Sequence, residues 1–201
     1  MLILASGSPR RQILVRALGV PAEIVPSDAP ERRARGGEDP TQYALDVARA
    51  KAQAVARVRP GDTILAADTV VAVGGEILGK PADTEDALRM LRLLRGRVHQ
   101  VTTAVVVRCG ETVWDGAVTS DVRMRPFSDE EARDYIATGE PMDKAGAYAV
   151  QGFGGTFVES VDGCYHAVVG LPLCLAASLL HRCGIPATLP ADTSCASCAP
   201  T

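Results

Sequence analysis

The chain has 201 residues, 47% hydrophobic and 22% charged, with a formal net charge of −3. That length suits one domain with a sizeable core, and the acidic balance argues against a general nucleic-acid binder, which would carry a broad basic excess. No stretch approaches the roughly 20 apolar residues of a membrane span and no basic segment precedes an apolar core as in a signal peptide, so a soluble cytoplasmic protein without a membrane partner is expected.

Leu2-Ile3-Leu4 is a short apolar run of the kind that forms a buried strand. Ser8-Pro9 then starts a helix, serine as N-cap and proline at the first helical position, and Gly19 ends it. A strand that passes through a serine and glycine loop into a helix N-terminus leaves backbone N–H groups pointing outward, with the positive end of the helix dipole behind them. Phosphate is the natural guest. Ser6 and Ser8 add hydroxyls, and Arg10 and Arg11 add guanidinium forks that suit phosphate oxygens.

Ala22 to Val25 reads as a second strand and Pro26 to Pro40 as a polar loop that contains Glu31. From Thr41 to Val58 the alanine-rich sequence predicts a helix. Its alanines, Ala48, Ala52 and Ala54 among them, would let it approach a neighbour closely and bring Lys51 near a ligand. Ile64 to Val73 is a nearly continuous apolar strand interrupted once, by Asp68. An ionised aspartate buried in such a strand costs several kcal/mol unless a cation, a metal or hydrogen-bond donors compensate it, which marks Asp68 as a functional candidate. Gly74 to Lys80 fits the first seven positions of a P-loop, but Pro81 stands where that motif needs a magnesium-binding hydroxyl and disfavours helix at Lys80. Gly74-Gly75 is better read as a hairpin turn, with Lys80 a cation on the return arm.

Asp83 or Thr84 caps a scaffold helix whose Leu88, Leu91 and Leu94 form one apolar side up to Gly96. Val101, Thr103, Val105 and Val107 recur at alternate positions of a strand that begins near Val98, turns around Cys109-Gly110 and returns over Thr112 to Met124. His99 reads as a hydrogen-bonded structural histidine. Ser128 to Glu131 is a capping box for a helix ending at Gly139. Asp143 to Gly152, which carries Lys144, Tyr148 and Gln151, is glycine-rich and implies tight turns. A strand over Phe157 to Val161 follows, and Pro172 to Cys183 closes the domain as an amphipathic helix. Residues 1–185 are expected to form one domain and 186–201 a disordered tail. The six cysteines are read as reduced thiols, and the Cys195-x-x-Cys198 pair lacks a second pair for zinc.

Ala5-Ser6-Gly7-Ser8-Pro9-Arg10-Arg11 resembles the opening signature of the Maf family of nucleoside triphosphate pyrophosphatases. Lys51-Ala52, Gly79-Lys80-Pro81, Asp143-Lys144-Ala145-Gly146, Gln151-Gly152 and Val169-Gly170-Leu171-Pro172-Leu173 match it in order, and the last three resemble the branch acting on dTTP and UTP. The resemblance implies an α/β fold, a mixed and curved central sheet flanked by helices in two lobes around a cleft, and a homodimer. It implies hydrolysis of a pyrimidine nucleoside triphosphate to the monophosphate and pyrophosphate with a divalent cation, Mg2+ or Mn2+. It assigns Asp68 as the base, Ser6 and the loop amides to phosphate, and Arg10, Thr69 and Gln151 to base preference. Glu31 would face the phosphates or the metal. Arg10, Arg11, Lys51 and Lys80 would offset the charge of the leaving pyrophosphate, and spacing leaves open which carboxylate, Glu31 or Asp68, binds the metal. Gln151 carries both a donor and an acceptor, as the imide edge of thymine or uracil requires. Two other readings use the same residues: a nucleotide-binding regulator of cell division without turnover, and a kinase, which the failed P-loop disfavours.

Overall fold

A computed structural model describes residues 1–30, 32–191 and 193. The chain runs β1 (Leu2–Leu4), α1 (Pro9–Ala17), β2 (Glu23–Ile24), α2 (Pro40–Val58), β3 (Thr63–Val73), β4 (Glu76–Leu78), α3 (Thr84–Leu94), β5 (Val98–Cys109), β6 (Thr112–Met124) and α4 (Asp129–Ala137). Three short 3-10 turns between Glu140 and Phe157 precede β7 (Val158–Asp162), α5 (Tyr165–Val169) and α6 (Leu173–Arg182). Local signals set most of these limits. Ser8, Asp39, Asp83 and Ser128 each cap a helix through a side-chain oxygen, Ser128 within a complete capping box. Gly74 and Gly75, both at positive φ, turn β3 into β4.

The strands form one mixed seven-stranded sheet in the order β2-β1-β3-β5-β6-β7, with β4 added to β3. The β1 strand runs parallel to β2 and β3, and the remaining pairs are antiparallel. One edge of β3 is shared by two short partners. Leu2 to Leu4 pair with Thr63 to Leu65, and Glu76 to Leu78 pair with Val71 to Val73. Between them, at Ala66 to Val70, the sheet opens. Asp68 and Thr69 sit in that gap, while their other edge stays registered against Ala104 and Thr103 of β5.

Three apolar clusters hold this frame and explain the two lobes. On one face α2 lies close to the sheet because Ala44, Ala48 and Ala52, spaced one turn apart, are buried against Ile3, Ile64, Ala66, Ala104 and Val106. Ala54 is only partly buried, so the close approach belongs to the 44, 48, 52 row. On the opposite face Leu14 and Val15 of α1, with Leu18 just after it, join Leu173, Ala176 and Leu180 of α6 over Leu4, Leu65, Val105 and Val107. The second lobe packs Leu88, Leu91 and Leu94 of α3 with Tyr135 and Ile136 of α4 against Val71, Leu78, Val122 and Met124. Because helices cover both faces, β5 is buried continuously from Val101 to Val107 and does not alternate inside and outside as its odd-numbered valines suggested.

Two expectations are corrected by this packing. The cysteines are not all reduced: Cys109 at the end of β5 and Cys183 after α6 form a disulfide across 74 residues, with their Cα atoms 6.1 Å apart. The contact is created by α6 lying across the sheet, which spacing along the chain does not display. The tail expected to be disordered from residue 186 is held at its start, since Ala187 is buried and Thr188 N donates to Leu18 O at 2.9 Å. Cys195 and Cys198 lie outside the described residues. No helix of the described residues is long and apolar enough to cross a membrane.

Candidate active site

The loop after β1 delivers its donors to the gap in the sheet. Ser6 is buried, and its Oγ accepts from Ser8 N at 3.2 Å, which tightens the turn before α1. Ser8 Oγ in turn accepts from Arg11 N at 3.5 Å. With Pro9 at its first position, α1 presents its N-terminus and the residues from Ala5 to Arg11 to one cavity. Arg11 turns into the wall of that cavity. Its Nε donates to Gly170 O at 2.9 Å, Nη2 to Thr69 Oγ1 at 3.0 Å and Nη1 to Ser6 Oγ at 3.4 Å. The guanidinium thus ties the phosphate loop, β3 and the turn after α5 together.

Opposite this loop, α2 supplies the compensation that a carboxylate in an apolar strand requires. Lys51 Nζ donates to Asp68 Oδ1 at 2.6 Å, and the two side chains retain only 14% and 13% of their exposure. The buried alanine row sets the helix close enough for this reach, and removal of either partner would leave a charge shielded from water. Asp68 thus meets a cation within the strand while still lining the cavity.

The cavity, about 980 Å3, also collects Arg10, Thr69, Lys80, Lys144 and Gln151. Every predicted site residue that the structure describes is thus on one opening; Glu31 lies outside the described residues. Arg32, Arg33 and Arg89 join them, giving among the described residues eight cationic side chains against three acidic ones, Asp68, Asp86 and Asp143. In a chain of net charge −3 this concentration of positive charge is local and favours an anion. Asp143 is neutralised in place: a hydrogen bond from Lys144, reinforced by the charges of Lys144 and Arg10, holds its carboxyl below the ordinary aspartate value against the opposing effect of burial. Lys144 Nζ also donates to Glu140 O at 2.9 Å.

The segment that bears Lys144 and Gln151 is fixed by backbone conformation and one carboxylate. Gly146 has φ +68°, and a Cβ there would come within 2.9 Å of Val71. Glu140 accepts from Tyr135 Oη at 3.1 Å and from the backbone N–H groups of Phe153 and Gly154 at 3.2 Å each, which anchors the turn after Gln151. His99, as expected, is structural: its Nε2 and Tyr148 Oη are 2.6 Å apart, and burial pushes its pKa down to about 4.

Sequence reasoning missed several contributors. Arg89 and Asp86 sit on α3, which was read as scaffold, yet both line the cavity. The short helix α5 was not anticipated, although it supplies Ala167 O to Thr103 and leads to Gly170 O for Arg11. Flanking Gly163 and Gly170, at φ +116° and +129°, were its available signal. A second cavity of about 490 Å3 between α2 and the β5–β6 hairpin contains none of the predicted residues. Among the described residues no cluster of three His, Cys, Asp or Glu side chains is placed to hold a metal.

The profile of the family described as Maf-like protein matches residues 1–183. A protein of Anaeromyxobacter dehalogenans named dTTP/UTP pyrophosphatase is 52% identical over 189 residues, covering 92% of this chain and 95% of that protein. Proteins of the same name from Shigella sonnei and Escherichia coli are 49% and 48% identical over 182 residues, each covering 90% of this chain and 92% of the relative. Among solved structures, that of the Staphylococcus aureus Ham1 protein aligns with a TM-score of 0.40 at 14% identity, covering 61% of this chain and 71% of that one. A family match along nearly the whole described length, together with relatives at about half identity, leaves one conclusion: this chain belongs to the Maf-like protein family.

Proposed function

We propose that the chain is a nucleoside triphosphate pyrophosphatase that hydrolyses dTTP and UTP to the monophosphate and pyrophosphate. The observation that carries this reading is the shared cavity: the arginine-bearing turn and the carboxylate of Asp68 face one opening among eight cationic groups. The names of the relatives support the same activity and the pyrimidine preference.

The chemistry follows from the positions of these groups. The triphosphate enters with its oxygens toward the Ser6 to Arg11 turn, Lys80 and Lys144, whose charges offset the negative charge that builds on the departing pyrophosphate. Lys51 holds Oδ1 of Asp68, which leaves Oδ2 to take a proton from water. The water oxygen forms a bond to the α-phosphorus while the bond from that phosphorus to the bridging oxygen breaks, so pyrophosphate leaves with the electron pair. Lys51 stabilises the carboxylate before the proton arrives and keeps it aimed into the cavity.

Mg2+ or Mn2+ fits the donors present. Such hard cations need one or two carboxylates and complete their shell with water and phosphate oxygens, so an ion that arrives with the nucleotide would be held by Asp68 or by Glu31. When bound, it would neutralise charge across the phosphates. Glu31 is the proposed second carboxylate. A cytoplasmic homodimer is the setting the family resemblance suggests. Product analysis tests the reading: dTTP or UTP incubated with protein and Mg2+ should give the nucleoside monophosphate and pyrophosphate. Nucleoside diphosphate and orthophosphate would refute it in favour of γ-phosphate chemistry, and intact nucleotide would refute it in favour of a binding protein.

A further inference from the structure

Thr69 and Thr103 face each other across β3 and β5 in direct register, and the direction of every hydrogen bond between them is fixed by chemistry. A hydroxyl has one proton and two lone pairs. Thr103, completely buried, gives its proton to Ala167 O at 2.6 Å, an atom that can only accept. The Thr69 to Thr103 contact of 2.8 Å must then be donated by Thr69. Arg11 Nη2 donates to Thr69 Oγ1 at 3.0 Å and takes one of its lone pairs. Thr69 lines the cavity with its proton committed inward. Toward a ligand it can therefore only accept.

We infer that Thr103 is a positioning residue that locks Thr69 as an acceptor, so that the site favours a pyrimidine carrying a proton on N3 over one with a bare N3. The inference rests on the pyrimidine triphosphate reading above and deepens it. Uracil and thymine present N3–H, whereas cytosine presents a lone pair there, which would meet the Thr69 lone pair head-on. Gln151, exposed on the same cavity, cannot discriminate alone, because a side-chain amide can turn over and match either edge. Selection needs a group whose polarity is held, and the chain of bonds from Arg11 through Thr69 and Thr103 to Ala167 holds it.

Pyrophosphate release from UTP, dTTP and CTP by the wild type, Thr103→Val, Thr103→Ser and Thr69→Val tests the assignment. In Thr103→Val the Thr69 hydroxyl is free to turn and donate to N3 of cytosine. The UTP to CTP ratio of kcat/KM should fall about tenfold, with CTP turnover rising in absolute terms through a lower KM. Damage to the fold would not produce that gain. Thr103→Ser should restore the wild-type ratio. Thr69→Val leaves Thr103 bonded to Ala167, so it keeps the inference testable if Thr103→Val does not fold, and its ratio should collapse through loss of UTP turnover. An unchanged ratio in Thr103→Val or in Thr69→Val, or a Thr103→Ser variant that behaves like valine, would overturn the inference while the pyrophosphatase reading stands. A wild type that leaves UTP and dTTP intact would overturn both.

Discussion

The disulfide between Cys109 and Cys183 makes a prediction that separates stability from activity. The bridge joins the end of β5 to the chain just after α6, 74 residues further on. Chain-entropy arguments for a loop of that length give about 4.5 kcal/mol at 25 °C, as an upper value that residual structure in the unfolded chain reduces. For a chain of this size, 1 kcal/mol moves Tm by about 2–4 °C, so reduction should lower Tm by about 10 °C. Neither cysteine lines the catalytic cavity, so kcat/KM at 25 °C should not change. The assay is a pair of thermal melts with and without dithiothreitol, repeated on a Cys109→Ser, Cys183→Ser double variant, which should melt like the reduced wild type and ignore the reductant. A wild-type shift below about 2 °C would refute the entropic account. A large loss of room-temperature turnover on reduction would instead show that α6 transmits strain to the site.

Three other outcomes are expected. Asp68→Asn should lower kcat by about 10²- to 10⁴-fold while nucleotide affinity persists, because the asparagine oxygen can still accept from Lys51; single-turnover kinetics and equilibrium binding check the two halves. His99 is depressed to about 4 by burial, so the unfolded chain binds more protons than the folded one between that value and about 6.5. Its contribution, about 3 kcal/mol, is fully present above pH 6.5 and is lost as the pH falls toward 4. Urea melts across that window should show a shallower acid-side decline in His99→Gln than in the wild type. Ser128→Ala removes the capping box of α4 and should cost about 1 kcal/mol, read as a Tm drop of about 2–4 °C with no change in turnover.

How much of this was legible in the sequence depended on whether a signal was local. Ser8-Pro9, Asp83 and Ser128 announce helix starts through chemistry confined to four residues, and each is found where it was read. Asp68 was legible for a different reason: a carboxylate in an apolar strand demands a partner wherever the chain goes, and Lys51 is that partner. What stayed hidden were contacts between segments distant in sequence. Nothing near Thr103 advertises that its hydroxyl would meet Ala167 O, 64 residues later. Arg89 looked like the solvated face of a scaffold helix because its place on the cavity depends on how the second lobe is hung on β3 and β4.

That hanging explains why the site is where it is. The β3 strand is long enough to serve both lobes, pairing with β1 at Thr63 to Leu65 and with β4 at Val71 to Val73. A continuous third partner across Ala66 to Val70 would have closed the sheet and covered Asp68. The two short strands instead leave the middle of β3 open on one edge, while β5 holds the other edge in unbroken register from Thr63 to Ala72. Rigidity therefore comes from one side and access from the other. The loops at the borders of the gap, Ala5 to Ser8 after β1 and Gly79-Lys80 after β4, are the ones that carry donors and charge. An acid exposed by a missing strand segment, and cations delivered by the two strands that stop short of it, make an anion site as a direct consequence of the strand lengths.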